Sequence, residues 1–489
     1  IFVENQDQLN KILEVWEKCS QLLKTVVMDD TYDGDDDRVI NFTKFIDLGT
    51  AAETKSDESF EDLVNAIESD DLLTLIYTSG TTGFPKGVML THKNLISNIE
   101  AISQFVDFDY TDKFLSFLPL SHVFERMGGH FTAFSKGGIV YYAESIETVP
   151  ANLGEVSPSV VLSVPRLYEK MYARVIDGLK SAPDARKKIF WWAIGVGKKA
   201  TEYRLKNSPL PFFLGLKHKL ADKLVYSKVK QRVGGNLRFF ISGGAPLAKE
   251  IGEFFAAADI TILEGYGLSE TSPVLTTNSP GHIRYGSVGR SLFNVEIKIA
   301  DDGEILAKGP SVMIGYYNNE DATKEAIDED GWLHTGDIGH LDSDGYLFIT
   351  DRKKNILVTS AGKNVAPAPI ENALVTSPFI EQTVVIGDKR NFISALVVPA
   401  FEAVEQYLSE QGISTSSNKE IAEKPEVKSL LQNEMNKAME KFSNYERVKE
   451  FVIIDRLLTL ENGELTPTLK VVRKVVLDNF SDRIEQIYS

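Results

Sequence analysis

A chain of 489 residues with 43% apolar and 25% charged side chains is long enough for about three domain-sized units, and its balance is that of a folded globular protein, neither disordered nor repetitive. A net charge of −17 argues against nucleic acid as a partner, because binding phosphate backbones rests on clustered Lys and Arg. Cys19 is the single cysteine, which excludes an intrachain disulfide framework and a cysteine-based zinc site and fits a reducing, cytoplasmic compartment. No apolar run reaches the length needed to span a bilayer, and the first residues do not read as a signal peptide.

The chain starts at Ile1, and Ile1-Phe2-Val3 reads as a strand running into a helical pattern over 6–23, which has the look of an interior start. The acidic run 29–37 does not make a calcium loop. With Asp29 as first ligand, Ile40 falls where an EF-hand needs its bidentate Glu, so a solvated loop is expected. Strand-like runs at 25–28, 73–77, 114–118, 160–163, 237–241 and 261–263 alternate with helical stretches, which predicts an α/β domain with largely parallel sheets. The segment 184–232 carries 13 Lys and Arg against 3 Asp and Glu, interleaved with Phe190, Trp191, Trp192, Tyr203, Phe212, Phe213 and Tyr226. Two readings of it stand equally: a basic, aromatic, helical face resting peripherally on an anionic membrane, or a surface helical pair with its aromatics packed inward. From 287 to 350 the texture changes to short strands between Gly and Asp turns, at 295–299, 304–307 and 346–349. The polar break Asp351-Arg352-Lys353-Lys354-Asn355 then leads into an α+β segment ending at Ser489, and a domain boundary is placed there.

The richest local signal is Leu72 to His92, LLTLIYTSGTTGFPKGVMLTH. Gly80, Gly83 and Gly87 let the backbone turn tightly and approach an anion, Thr78, Ser79, Thr81 and Thr82 offer hydroxyls, and Lys86 adds positive charge. The pattern suits the phosphates of a nucleoside triphosphate. It is not the P-loop of ordinary NTPases, which requires Gly-Lys-Ser/Thr opening a helix; here Lys86 follows Pro85, 87–90 reads as a second strand, and the helical pattern begins only near 93–105. A plain surface turn is the weaker alternative for so many hydroxyls and glycines around one lysine.

Together with Gly265-Tyr266-Gly267-Leu268-Ser269-Glu270-Thr271, Gly331-Trp332-Leu333-His334-Thr335-Gly336-Asp337 and Leu465-Thr466-Pro467-Thr468-Leu469-Lys470, this loop resembles the adenylate-forming ligases, which include acyl-CoA synthetases, luciferases and peptide-synthetase adenylation domains. The resemblance implies an α/β fold. A large domain, 1–350, would hold stacked, mostly parallel sheets closed by a small β-barrel at about 287–350; 351–355 would be a hinge and 356–489 a small mobile α+β domain. It also implies a further α/β segment ahead of residue 1.

In that family a carboxylate attacks the α-phosphorus of ATP, so cations and hydrogen-bond donors must converge on phosphate. The resemblance gives the phosphates to Thr78, Ser79, Gly80, Thr81, Thr82, Gly83 and Lys86, and magnesium to Glu270 with the Thr78 hydroxyl. Ser269 stands where relatives more often carry Thr, and keeps the hydroxyl. Gly243, Gly244, Ala245 and Pro246 would let adenine lie against backbone, with Tyr266 over the ring face and Gly267 beside it; Asp337 would accept from both ribose hydroxyls and Arg352 would add a second contact. Lys470 is the implied catalytic lysine, with Lys474 close by, and the motif before it decides between the two. For the second half-reaction the small domain would turn and present Gly362, within 359–364, to a narrow passage for the CoA thiol's arm.

Leu118-Pro119-Leu120-Ser121-His122-Val123-Phe124-Glu125-Arg126 and Val164-Pro165-Arg166-Leu167-Tyr168-Glu169-Lys170 look closest to long-chain fatty acyl-CoA synthetases, with Gly128, Gly129, Gly243 and Gly244 leaving room for methylenes. No acid that would hold a substrate ammonium stands out. His122 would gate the acyl pocket or assist the second step, although a lone His is more often a packed residue. The expected activity is ATP-dependent ligation of a fatty acid to CoA. Competing expectations are a ligase with a carrier-protein acceptor or one that stops at acyl-AMP, a luciferase-like oxygenase, and a non-catalytic nucleotide- or lipid-binding relative. Chain length and oligomeric state are not written in these motifs.

Overall fold

A computed structural model describes residues 1–29, 31–53, 59–78, 85–180, 182–466 and 471–488. The chain divides into two compact units, 1–71 and 72–489.

The first unit contains a three-stranded parallel sheet, Phe2–Val3, Thr25–Val27 and Val39–Asn41, with a small core of Val3, Leu9 and Val27. Its first helix is shorter than the 6–23 pattern suggests. Gln6–Val15, capped by Asn5, passes into a single 3-10 turn, Trp16–Lys18, and stops. Beyond it, Leu23 stands 84% exposed.

The second unit is α/β, a large N-terminal domain followed by a smaller C-terminal one. Seven strands form its main sheet in the order 290–291, 274–277, 262–267, 239–242, 160–163, 113–116, 139–142. The five from Ile262–Gly267 to Ile139–Tyr142 are parallel, and Val274–Thr277 and Arg290–Ser291 add an antiparallel edge. Because parallel strands are covered on both faces, they are apolar without alternation. Leu162, Phe239 and Leu263 face one core with Leu95, Ile102 and Met127, whereas Val161, Phe240 and Ile262 face another with Tyr168, Phe190 and Phe255. Burying each such side chain contributes roughly 1.5–3 kcal/mol.

The strand order reverses at Lys113–Ser116. The chain steps from it to Ile139–Tyr142 on one side, then back to Val160–Ser163 and onward on the other. The carboxyl ends beside such a switch point open a crevice that ligands use in open α/β sheets. Strand Leu72–Thr78 pairs with Lys86–Thr91 and so belongs to a separate antiparallel sheet, which Gly315–Tyr316 completes. Helix His92–Phe105 follows directly, opened by a Thr91–Asn94 capping box. Asn94, itself buried, also donates to the carbonyls of Pro310 and Val312.

Several expected boundaries shift. The strand expected at 261–263 runs on to Gly267, so the Gly-Tyr-Gly motif is part of the sheet. Antiparallel pairing with 274–277 brings backbone so close at Gly267 that a Cβ there would lie 1.6 Å from the Pro273 carbonyl oxygen. The region expected as a small barrel is a four-stranded antiparallel sheet, 296–299, 304–308, 333–341 and 347–352, in chain order. The segment 184–232 is helical, and it splits the two readings offered for it. Phe190 and Tyr226 are buried, while Trp191, Phe212 and Phe213 are exposed.

The smaller domain has its own sheet, Ile380–Ile386, Ile393–Pro399 and Val448–Ile453. Val385, Ala395 and Val397 point into one apolar cluster and Val384, Leu396 and Val398 into another, a period of two with both faces covered. No helix among the described residues is long and apolar enough to cross a membrane.

Candidate active site

Loops leaving the carboxyl ends of the parallel strands line a cavity of about 2160 Å³. Pro119 and His122 come from beyond 113–116, Val164 and Arg166 from beyond 160–163, Gly243 to Leu247 from beyond 239–242, and Tyr266 to Glu270 from the end of 262–267 and beyond. The antiparallel sheet adds Thr78 and Lys86, and the strands 333–341 and 347–352 add Asp337 and Arg352. The smaller domain closes the rim with Glu381, Leu458, Leu465, Thr466 and Val471 to Lys474.

Two hydrogen-bonded groups organise the polar wall. Asp337, 5% exposed, accepts from the Tyr266 hydroxyl at 2.7 Å and from Arg352 Nε at 3.0 Å. Burial, and then the Asp337 charge, push the Tyr266 phenol well above its usual pKa, so it is a committed donor. The second group is Glu270, which accepts from the Tyr316 hydroxyl at 2.8 Å, while Lys86 Nζ stands 4.9 Å from the centre of the Tyr316 ring. Lys354 lies at the same wall. Burial, followed by the nearby Arg352 charge, lowers its pKa below the ordinary lysine value.

Gly244 has φ +83, and a Cβ on Gly243 would meet the Phe124 ring at 2.9 Å, so backbone itself forms this part of the wall. His122 is half-buried, and its Nδ1 accepts from the Phe124 N–H at 3.2 Å. Residues Phe124–Phe131 form a π-helical stretch that aims Phe124, Arg126 and Gly128 at the cavity and turns Glu125 inward. Glu125 is 1% exposed, and burial pushes its carboxyl up to about 7. Gly129, expected to make room for methylenes, makes room for that carboxylate: a Cβ there would lie 2.4 Å from Glu125 Oε1.

Of the residues singled out in the sequence, Thr78, Lys86, His122, Gly243, Gly244, Ala245, Pro246, Tyr266, Gly267, Ser269, Glu270, Asp337 and Arg352 all line this one cavity. Gly362 does not. It sits exposed with φ +72 in the turn between Leu357–Val358 and Asn364–Val365. Ser79, Gly80, Thr81, Thr82, Gly83 and Lys470 lie outside the described residues. Leu465 and Val471, on either side of 466–470, pair in an antiparallel bridge. Sequence reading missed Tyr316 and gave no role of their own to Lys354 or to Arg126, whose Nη1 donates to Thr74 at 2.5 Å. Their roles arise from contacts between distant segments, which no local pattern reveals.

No group of three or more His, Cys, Asp or Glu able to hold a metal occurs among the described residues. Glu270 and Thr78 nevertheless offer hard oxygens in the same cavity as Lys86. One carboxylate and one hydroxyl suit a magnesium ion that keeps most of its waters and takes its remaining ligands from phosphates.

Residues 2–317 match the family model described as AMP-binding enzyme, and residues 354–489 match the model for the AMP-binding enzyme C-terminal domain. The chain is 40% identical over 427 residues to a long-chain-fatty-acid–CoA ligase, FadD15, of Mycobacterium bovis, covering 87% of this chain and 70% of that protein. It is 32% identical over 522 residues to the long-chain-fatty-acid–CoA ligase ACSBG2 of Homo sapiens, covering 100% of this chain and 77% of the relative. Among solved structures, an anthranilate CoA ligase, AuaEII, in complex with anthranoyl-AMP is similar with a TM-score of 0.71 at 19% identity, over 99% of this chain and 78% of that one, a likeness of fold.

Proposed function

This chain belongs to the AMP-binding enzyme family, and from that premise we propose that it is an ATP-dependent ligase that joins a fatty acid to CoA through an acyl-AMP intermediate, releasing AMP and pyrophosphate. One observation carries the reading: Thr78, Lys86, the Gly243–Pro246 turn, Tyr266, Glu270, Asp337 and Arg352 converge on one cavity from separate elements.

Bringing a carboxylate to a triphosphate joins two anions, so the wall must supply positive charge where negative charge grows. Thr78 and Lys86 would hold the phosphates. Asp337 and Arg352 would take the ribose, with the adenine between the Gly243–Pro246 backbone and Tyr266. Lys470 would reach the carboxylate and α-phosphate oxygens during adenylation, and the cavity-lining Leu465, Thr466 and Val471 on either side of it support this. Glu270 and Thr78 would hold magnesium, whose chemistry when bound is to neutralise charge on phosphate oxygens. A turn of residues 356–489 about a hinge at 351–355 would then withdraw Lys470 and bring the exposed Gly362 to the thiol's path, with His122 beside the acyl group.

A long acyl chain is the proposed substrate. Ile102, Val106, Phe108, Phe124, Leu162 and Val164 give the cavity an apolar arm, and the relatives named above are long-chain ligases. A cytoplasmic enzyme touching an anionic membrane through 184–232 is proposed with it. Exposed Trp191, Phe212, Phe213, Leu216 and Leu220 stand among Lys188, Lys217 and Lys219, which have no carboxylate partner among the described residues. Replacing Phe212 and Phe213 by Ser should lower co-sedimentation with phosphatidylserine vesicles, and recovery that ignores both vesicles and substitutions would remove this surface from the proposal.

The activity is tested by mass spectrometry of products from ATP, magnesium and a ladder of fatty acids, with and without CoA. Acyl-CoA plus AMP is expected, with the preferred rung reporting the length of the apolar arm. Acyl-AMP that persists when CoA is present would point to another thiol acceptor, and neither product would reject the reading.

A further inference from the structure

Arg166 sits just after strand Val160–Ser163, in the first turn of helix Pro165–Lys180 of the large domain, yet its guanidinium is spent on the small one. Nη1 donates to the backbone carbonyl of Glu381 at 2.5 Å, and Nη2 donates to the Glu381 carboxylate. Glu169, one turn further along the helix, takes Nη1 at 3.1 Å. The three side chains are only 18%, 25% and 14% exposed, in the order Arg166, Glu381, Glu169, so water screens the group weakly. At the far end of the same helix, Lys180 Nζ lies 4.4 Å from the centre of the Phe379 ring, a second link to the same edge of the small domain.

What Glu381 is attached to gives the contact its meaning. Its neighbour Gln382 exchanges two hydrogen bonds with the backbone of Leu458, donating to the carbonyl at 3.3 Å and accepting from the N–H at 2.8 Å. Beyond Leu458, the turn is pinned by Glu464, which is fully buried and accepts from both Arg456 guanidinium nitrogens and from the Thr459 N–H. The chain then enters the cavity wall at Leu465, paired with Val471. A continuous series of contacts therefore runs from a large-domain arginine to the base of the segment in which Lys470 stands.

We propose that Arg166 is a positioning residue for the adenylation half-reaction, docking the small domain through Glu381 so that Leu465, Thr466 and Val471, which flank Lys470 in the sequence, face the cavity. The inference rests on the two-step reading above. It adds a named determinant of which half-reaction the domain pose favours. Charge-assisted pairs of this kind fix geometry as well as adding energy, and a contact made in one domain pose and absent from another shifts the balance by the whole of its differential strength. Glu169 keeps Arg166 paired when Glu381 is changed, so the fold should tolerate that substitution.

The test compares the two half-reactions separately in Glu381→Gln. Acyl-AMP formation from fatty acid and ATP is expected to slow about fivefold to tenfold, while acyl-CoA formation from supplied acyl-AMP stays within about twofold or rises. Exchanging the charges, Arg166→Glu with Glu381→Arg, should recover adenylation at least about threefold over either single reversal. Equal losses in both steps, no loss in either, or no recovery on exchange would overturn the assignment of Arg166. Wild-type protein assayed alongside separates the two levels: failure of wild type to make acyl-AMP would overturn the ligase reading, whereas a competent wild type with an indifferent Glu381→Gln overturns only the docking role.

Discussion

The side of the cavity supplied by the large domain and the side supplied by the small domain are held in place by different means. On the first, Asp337 is fixed by Tyr266 and Arg352 and Glu270 by Tyr316, all within the large domain and on or beside strands whose registers are set by pairing. On the second, Leu465 and Val471 arrive on a turn anchored by Glu464 and Gln382 and joined to the large domain through Glu381. The first arrangement is preorganised and costs nothing to assemble when ligand arrives, and the second can be withdrawn by breaking a few polar contacts. Binding and chemistry should consequently separate by mutation.

The largest separation is expected from Lys470→Ala. Adenylation from fatty acid and ATP should fall by about a thousandfold, the scale of losing a charge-stabilising group in a closed site, while acyl-CoA formation from supplied acyl-AMP remains largely intact. Rapid-quench assays of the two steps decide it, and equal loss in both would erase the contrast between the two sides. Asp337→Ala comes next and acts on the opposite side. It removes a buried carboxylate and leaves Arg352 and Tyr266 without their shared partner, so nucleotide affinity should drop about tenfold to a hundredfold in a direct titration. Unchanged affinity would show that Asp337 serves the protein's own hydrogen bonds and not the ribose.

Much of the first side was legible in the sequence, and little of the second. Tyr266 and Glu270 share one short glycine-bearing motif and Asp337 sits in another, and those glycines are required locally: Gly267 by a backbone approach that excludes any Cβ, Gly336 by its left-handed φ. The strand leading to Tyr266 was found because buried parallel strands are continuous apolar runs, although the run ending at Leu263 hid the four residues that follow it to Gly267, and the antiparallel strand Leu333–Leu341 that carries Asp337 was not anticipated. The contacts made by Tyr316, Lys354 and Arg126 left no such trace. Tyr316 reaches Glu270 only because Gly315–Tyr316 pairs with Val88 and Met89, more than two hundred residues earlier. Arg166 read as part of an acyl-pocket motif, and nothing near it in sequence points to Glu381. The π-helical turn at Phe124–Phe131, which gives the space at Gly129 to the Glu125 carboxylate, is likewise decided by packing that no periodicity encodes.

Two buried carboxyls give the comparison a pH dependence. Glu464, in the small domain, has its burial outweighed by Arg456, Asn479 and the Thr459 N–H, and its pKa is held below the usual carboxylate value. Glu264, lining the cavity on the large-domain side, has burial opposed only by the Gly286 N–H, and its carboxyl is pushed up to about 8. The folded protein therefore keeps a proton on Glu264 that the unfolded chain releases near pH 4 to 5. Below that range both states are protonated and the group contributes nothing. Between about pH 4.5 and 8 the folded state binds more protons than the unfolded one, so stability must fall as pH rises, and the full loss is reached above the folded pKa. Glu264→Gln removes this titration while keeping the side chain's size. Its thermal midpoint should match wild type near pH 4.5 and exceed it increasingly toward pH 8.5, by the equivalent of about 1 kcal/mol or more. Glu125, pushed up to about 7, titrates in the same window, so the decisive quantity is the difference between wild type and variant at each pH. Parallel curves for the two proteins would mean that Glu264 is ionised in the fold, and that the large-domain wall carries one more negative charge facing the cavity than this structure implies.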